Sequence, residues 1–201
     1  MIAEESVAAG RIPETEGRAF FLVDPLDGTK EFINRRDDFT VNIALIRDGV
    51  PVAGIVYAPA RGIAYGAEAG KAEKLTVSAD FEVAERQDIR CRAMGDALTA
   101  VASRSHRSPE TELFLKENGI ADCTSVGSSL KFCLVAEGLA DVYPRFGRTM
   151  EWDTAAGDAV LRAAGGRMEM IDGTPFTYGK KNQSHDSDFA NPNFIAWGAN
   201  S

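Results

Sequence analysis

Ala19-Phe20-Phe21-Leu22-Val23-Asp24-Pro25-Leu26-Asp27-Gly28-Thr29 joins an apolar, aromatic run to a turn with two carboxylates three residues apart. Residues 19–23 read as a buried strand, which stops at Asp24-Pro25 because proline has no N–H for the ladder. Asp24 and Asp27 therefore stand at a strand's C-terminal end, just before a short helix expected over 29–34. Pro25 fixes one backbone angle and Gly28 permits a tight turn, so both carboxylates can converge on one point. With the Leu26 carbonyl and water they offer the oxygen ligands that magnesium takes in near-octahedral geometry. On spacing alone, a plain turn in which both aspartates serve as helix caps accounts for the segment at least as well.

Downstream, residues 39–46 alternate large apolar with smaller residues, Asp48-Gly49 signals a turn, and 52–57 and 62–67 continue an antiparallel meander. The second half changes rhythm. A strand over 97–103 precedes a helix opened by Ser108-Pro109-Glu110 and closed by Gly119. Residues 123–127 form a short strand, Ser128 caps a helix running to Glu137, Gly138 ends it, and 140–143 returns as a strand. Asp153 stands at the N-cap of a helix over 154–164, and 167–171 and 193–197 read as further strands. The polar stretch 178–192 reads as a surface loop. Two lobes are expected: 1–95, with the meander and the first carboxylates, and 96–201, alternating strand and helix.

A chain of 201 residues, 44% hydrophobic and 26% charged, can bury a substantial core. Its apolar runs are far shorter than the roughly 20 residues a membrane-spanning helix needs. The acidic start, Met1-Ile2-Ala3-Glu4-Glu5-Ser6, lacks the features of a secretory signal, so a cytoplasmic protein with no membrane span is expected. Cys91, Cys123 and Cys133 have no C-x-x-C spacing and read as reduced thiols. A net charge of −8 argues against a nucleic-acid polymer as partner. A phosphorylated ligand would need bound cations or a local basic cluster, which Arg104, His106, Arg107, Lys131 and Arg145 can supply. Taken singly these are surface charges, and Glu4 by itself is solvated charge. Trp152-Asp153-Thr154-Ala155-Ala156-Gly157 is more informative, because small residues after an acidic one let a helix end approach a ligand or a second chain segment closely.

Taken together and in order, Glu4-Glu5-Ser6, residues 24–29 and residues 152–166 resemble the three signature segments of the inositol monophosphatase superfamily. Residues 24–33, 39–46, 54–59, 102–106, 127–147 and 150–157 resemble its bacterial 3′(2′),5′-bisphosphate nucleotidase branch, across nearly the whole chain. Lys30-Glu31-Phe32 stands where inositol monophosphatases usually carry Thr-Asn-Phe.

The resemblance implies an α/β (α+β) sugar-phosphatase fold of alternating helix and sheet layers. Relatives carry a helical segment before the Glu-Glu motif, so the first helical layer is expected to be missing here. It implies Glu4, Asp24, the Leu26 carbonyl, Asp27 and Asp153 as ligands of two or three magnesium ions. Asp27 and Thr29 would be catalytic, Thr29 orienting the attacking water. Ser105, His106, Ser128, Lys131 and Arg145, with Asp153, would hold the nucleotide and its non-reacting phosphate, and the Gly28 and Thr29 amides the reacting one. The implied activity is hydrolysis of the 3′-phosphate of adenosine 3′,5′-bisphosphate to AMP and phosphate by metal-activated water. An inositol monophosphatase or related sugar phosphatase on the same metal core is one alternative, and a non-catalytic phosphonucleotide-binding protein is another. A missing layer would bare apolar surface and favour a homodimer.

Overall fold

The computed structural model describes residues 1–12, 19–103 and 108–200. Its first half runs β1 (Ile2–Ala3), α1 (Glu4–Ala8), β2 (Phe20–Asp27), α2 (Thr29–Ile33), β3 (Thr40–Arg47), β4 (Val50–Ala58), β5 (Ile63–Glu68), β6 (Lys71–Val77) and β7 (Val83–Asp88). These strands make one sheet in sequence order, antiparallel except that β1 lies parallel to β2. Asp48 and Gly49 both take positive φ, 51° and 75°, as a two-residue hairpin turn between right-twisted strands requires.

The second half runs β8 (Thr99–Ser103), α3 (Pro109–Glu117), β9 (Asp122–Val126), α4 (Leu130–Ala136), β10 (Val142–Arg145), β11 (Thr149–Met150), α5 (Glu151–Ala163), β12 (Arg167–Met170), β13 (Ala190–Asn191) and β14 (Phe194–Trp197). A second sheet has the order β12-β14-β10-β8-β9, with β10, β8 and β9 parallel, and β11 pairs with β13.

Packing follows from where small residues fall. A Cβ on Gly54 of β4 would meet the Ala159 Cβ at 2.8 Å, and one on Gly157 would meet the Phe132 ring at 2.4 Å. Glycine at both positions lets α5 press onto the first sheet and onto α4 at once. The two helices thus form a layer between the sheets, α5 against β2 to β5 and α4 against β8 and β10. Phe132, Tyr143, Phe176 and Phe194 interlock edge-on and stacked at its centre. On the far face of the second sheet, Leu115 of α3 and Ile120 beyond it close over Ala100, Val142 and Ile195. The result is the layered α/β arrangement that the resemblance implied. The outer face of the first sheet leaves Phe21, Ile43 and Ile55 exposed. No described helix is long and apolar enough to cross a membrane.

Several local expectations are corrected. β2 does not stop at Asp24 but runs on to Asp27, with its register against β3 shifting between those residues. Pro25 falls inside that irregularity, where no ladder N–H is missed. Ser129, not Ser128, is the N-cap of α4, and Ser128 takes a left-handed φ of 49°. α5 begins at Glu151, which makes Asp153 its third residue rather than its cap. Strands β6 and β7 carry no strand-like apolar alternation, since Lys71–Val77 is largely polar and Val83–Asp88 is exposed throughout. The stretch 178–192 is not all surface: Phe189 is fully buried and β13 lies within it.

Candidate active site

The irregular end of β2 presents Asp24 and Asp27. Asp24 is 2% exposed, and its Oδ1 accepts the Leu26 N–H at 2.9 Å, closing the turn. Thr29 Oγ1 donates to the Leu26 carbonyl at 3.4 Å. Gly28 N-caps α2 with φ 89°, and a Cβ there would stand 3.3 Å from the Phe39 Cα, so backbone angle and close approach both call for glycine. Glu4 arrives from another route: β1 pairs Ala3 with Val23, which sets the first residue of α1 beside Asp24. Asp153 comes from the first turn of α5, where its Oδ2 accepts the Met150 N–H at 2.8 Å.

These carboxyls resist ionising together. Burial first, then the charge of Asp27, pushes Asp24 up to about 8 and Asp153 up to about 7. Burial also raises Glu4, with Glu5 and Asp27 adding to it. Such a cluster stores repulsion that a cation would relieve. Among the described residues, no three His, Cys, Asp or Glu side chains are arranged to hold a metal ion as they stand. The donor set is all oxygen and strongly negative, which fits a hard divalent cation in chemistry, and exposed Glu4 has the freedom to turn toward it.

Asp27 is fastened differently. Its Oδ2 accepts from the Ser129 N–H at 2.7 Å, the Ser129 hydroxyl at 2.8 Å, Asn42 Nδ2 at 3.2 Å and Thr40 Oγ1 at 3.3 Å. All four donors reach one oxygen, which leaves Oδ1 outside the network.

A cleft of about 290 Å³ is lined by Asp27, Thr29 and Asp153 together with Ser128, Lys131 and Arg145. Lys131 is 5% exposed, donates to the Ser128 carbonyl and lies 5.3 Å from the centre of the Tyr143 ring. Burial draws its amine down to about 8. Ser128 Oγ and Arg145 Nε are buried without a partner among the described residues. An unpaired buried donor and a left-handed serine both cost free energy, and both concentrate at ligand sites. The wall at Gly127 is set by Asp38, which accepts the Gly127 N–H at 3.0 Å and pairs with Arg61.

Of the residues singled out in the sequence, Asp27, Gly28, Thr29, Ser128, Lys131, Arg145 and Asp153 line the cleft together, with Ser128 against Gly28, while Asp24 and Leu26 adjoin it through the turn and Glu4 through β1. Ser105 and His106, with Arg104 and Arg107, lie outside the described residues. Sequence reasoning missed Arg148, which lines the cleft and is paired with Asp186 at 3.1 Å. It also missed Thr40, Asn42 and Ser129, whose bonds to Asp27 span 13, 15 and 102 residues and leave no local pattern.

The model of the inositol monophosphatase family matches residues 1–194. The 3′(2′),5′-bisphosphate nucleotidase CysQ of Escherichia coli K12 is 49% identical over 175 residues, which cover 87% of this chain and 66% of that protein. This chain therefore spans just under two thirds of that relative's length. CysQ of Salmonella typhimurium LT2 is 45% identical over 194 residues, 96% of this chain and 74% of the relative. The crystal structure of CysQ from Bacteroides thetaiotaomicron superposes with a TM-score of 0.80 at 39% identity, covering 100% of this chain and 77% of that one. This chain belongs to the inositol monophosphatase family.

Proposed function

We propose that the protein is a magnesium-dependent phosphatase that hydrolyses the 3′-phosphate of adenosine 3′,5′-bisphosphate, giving AMP and inorganic phosphate. The observation that carries this reading is one site that joins mutually repelling carboxyls to buried donors, Ser128 Oγ and Arg145 Nε, that have no partner among the described residues. The names of the Escherichia coli and Salmonella relatives supply the substrate class.

In this reading Glu4, Asp24, the Leu26 carbonyl, Asp27 and Asp153 hold two or three magnesium ions. Bound magnesium supplies the Lewis acid that makes water nucleophilic and screens the phosphate charge. The chain's own residues do the positioning. Thr29 orients the attacking water, and the amides of Gly28 and Thr29 at the start of α2 steady the reacting phosphate. Arg145, Lys131 and Ser128 hold the nucleotide and its other phosphate by charge-assisted hydrogen bonds. Water attacks phosphorus, the bond to the ribose 3′ oxygen breaks, and that oxygen leaves as a hydroxyl. Little covalent work falls to side chains in such a transfer, so positioning and charge carry it. Self-association through the face that exposes Phe21, Ile43 and Ile55 belongs to the same reading, and light scattering of the purified chain measures it.

The test is phosphate release from adenosine 3′,5′-bisphosphate and from inositol 1-phosphate, with magnesium and with chelator. Magnesium-dependent release that favours the nucleotide is the expected result. Preference for inositol 1-phosphate would replace the substrate, and binding of the nucleotide without turnover would replace the activity.

A further inference from the structure

Ser129 departs from what its position in the fold would ask of it. It is the N-cap of α4, where a serine side chain normally accepts a backbone N–H of the first turn, yet it makes no capping bond. Its hydroxyl turns instead to the carboxylates. Ser129 Oγ lies 2.8 Å from Asp27 Oδ2 and 2.6 Å from the Asp153 carbonyl oxygen, and it accepts from Asn42 Nδ2 at 2.9 Å. Ser129 itself is 2% exposed. A hydroxyl has one proton, so it can donate to the carboxylate or to the carbonyl and must lean on its remaining partners for the rest.

Asn42 departs in the same direction. Its Nδ2 faces Asp27 Oδ2 at 3.2 Å, and its Oδ1 is left buried with no partner among the described residues. Reversing the amide would set its oxygen against the carboxylate oxygen, so Asp27 dictates the orientation at the expense of a buried acceptor. Two residues thus give up local satisfaction for one oxygen of one carboxylate. Buried polar groups that break local rules together mark a site held for function rather than for stability.

We infer that Ser129 is a positioning residue, the pivot that sets Asp27 on β2 against Asp153 on α5 so that the two carboxylates face a common cation. The backbone explains why this residue can do it. Gly157 admits Phe132 of α4 against α5, which brings the first residues of both helices together, and the Ser129 N–H and hydroxyl then reach Asp27 in one stroke. Asp27 keeps Oδ1 outside the network, and the Asp153 side chain is likewise not consumed by Ser129, since the hydroxyl meets its carbonyl. This role rests on the proposed reading of Asp27 and Asp153 as metal ligands, and touches neither substrate nor reacting atoms.

Manganese binding, followed by the loss of the free-ion electron paramagnetic resonance signal, tests this without any turnover. Ser129→Ala, Ser129→Cys and Ser129→Thr are compared with the native chain, with circular dichroism melting on each. Loss of the hydroxyl in the Ala and Cys variants weakens the manganese Kd about 10- to 100-fold, whereas Thr, which keeps it, stays within roughly threefold of native. In the turnover assay the same two variants lose kcat while the KM for adenosine 3′,5′-bisphosphate moves little. If the Ala variant does not fold, the contrast between Cys and Thr decides. A native Kd in Ala or Cys, or a Thr variant as weak as Ala, overturns the positioning role and leaves the proposed activity standing. A native chain that binds no manganese overturns both.

Discussion

At the acidic end of the site Asp24, Asp153 and Glu4 are pushed above the range of free carboxyls, whereas at its basic end Ser128 Oγ and Arg145 Nε are buried with no partner among the described residues. Each end alone is a cost to the fold. The acidic end concentrates like charge in a partly desolvated corner, and the basic end strands hydrogen-bonding capacity away from water. Filled together, by a divalent cation and a phosphate, the two costs cancel. The contrast teaches that the cleft is shaped by what is to enter it rather than by the needs of the apo chain.

The comparison breaks most visibly at Asp27, the fixed point of the acidic end. Asp27→Asn keeps shape and most of the Ser129 and Asn42 contacts but removes the charge. It should cut magnesium-dependent phosphate release about 10³-fold, the order set by several kcal/mol of metal-borne charge stabilisation. Initial rates at saturating magnesium measure it, and melting should show a folded protein.

At the opposite end Arg145→Gln keeps a polar side chain without the guanidinium. Here KM for the bisphosphate should rise about 10- to 100-fold with a smaller change in kcat, as expected for losing hydrogen bonds to a charged partner. A fall in kcat at unchanged KM would move Arg145 from holding the substrate to assisting the reaction.

The smallest effect separates the ends by pH. Asp24 and Asp153 have folded values of about 8 and about 7, above their ordinary value. Between about pH 4 and about pH 8 the folded chain therefore binds more protons than the unfolded one. Their contribution to metal-free stability is fully present below the unfolded pKa and is lost as pH rises through the folded values. The melting temperature should drop on the order of 5 °C from about pH 5 to about pH 8.5. Magnesium should remove most of that slope, since it takes the place of the protons. Scanning fluorimetry with magnesium and with chelator reads both curves.

Much of the acidic end was legible because its information is local. A strand ending in Asp24-Pro25-Leu26-Asp27-Gly28 places two carboxylates by covalent proximity, and Gly157 announced a close approach that proved to be Phe132. The meander was equally plain, since Asp48-Gly49 writes its turn into the sequence. What stayed hidden is what needs the tertiary fold. Ser129 meets Asp27 across 102 residues, Asp38 meets Gly127 across 89, and no periodicity records either. Strands β6 and β7 were unreadable for another reason: Val83–Asp88 is exposed on both faces, so it lacks the apolar alternation by which strands are recognised. The caps of α4 and α5 fall elsewhere than expected because Ser128, Ser129 and Asp153 are all residues that favour caps, yet Ser128 lines the cleft, Ser129 turns its hydroxyl to Asp27, and Asp153 bonds the Met150 N–H from the third position of α5.

The central claim is that a cation at the acidic end and a phosphate at the basic end complete each other. Calorimetric titration of inorganic phosphate into the chain, with saturating magnesium and with chelator, tests it most directly. Coupled sites should bind phosphate at least fivefold more tightly when magnesium is present, within the range usual for linked ligands. Equal phosphate affinity in both conditions would mean that the two ends act independently, and the account would be wrong.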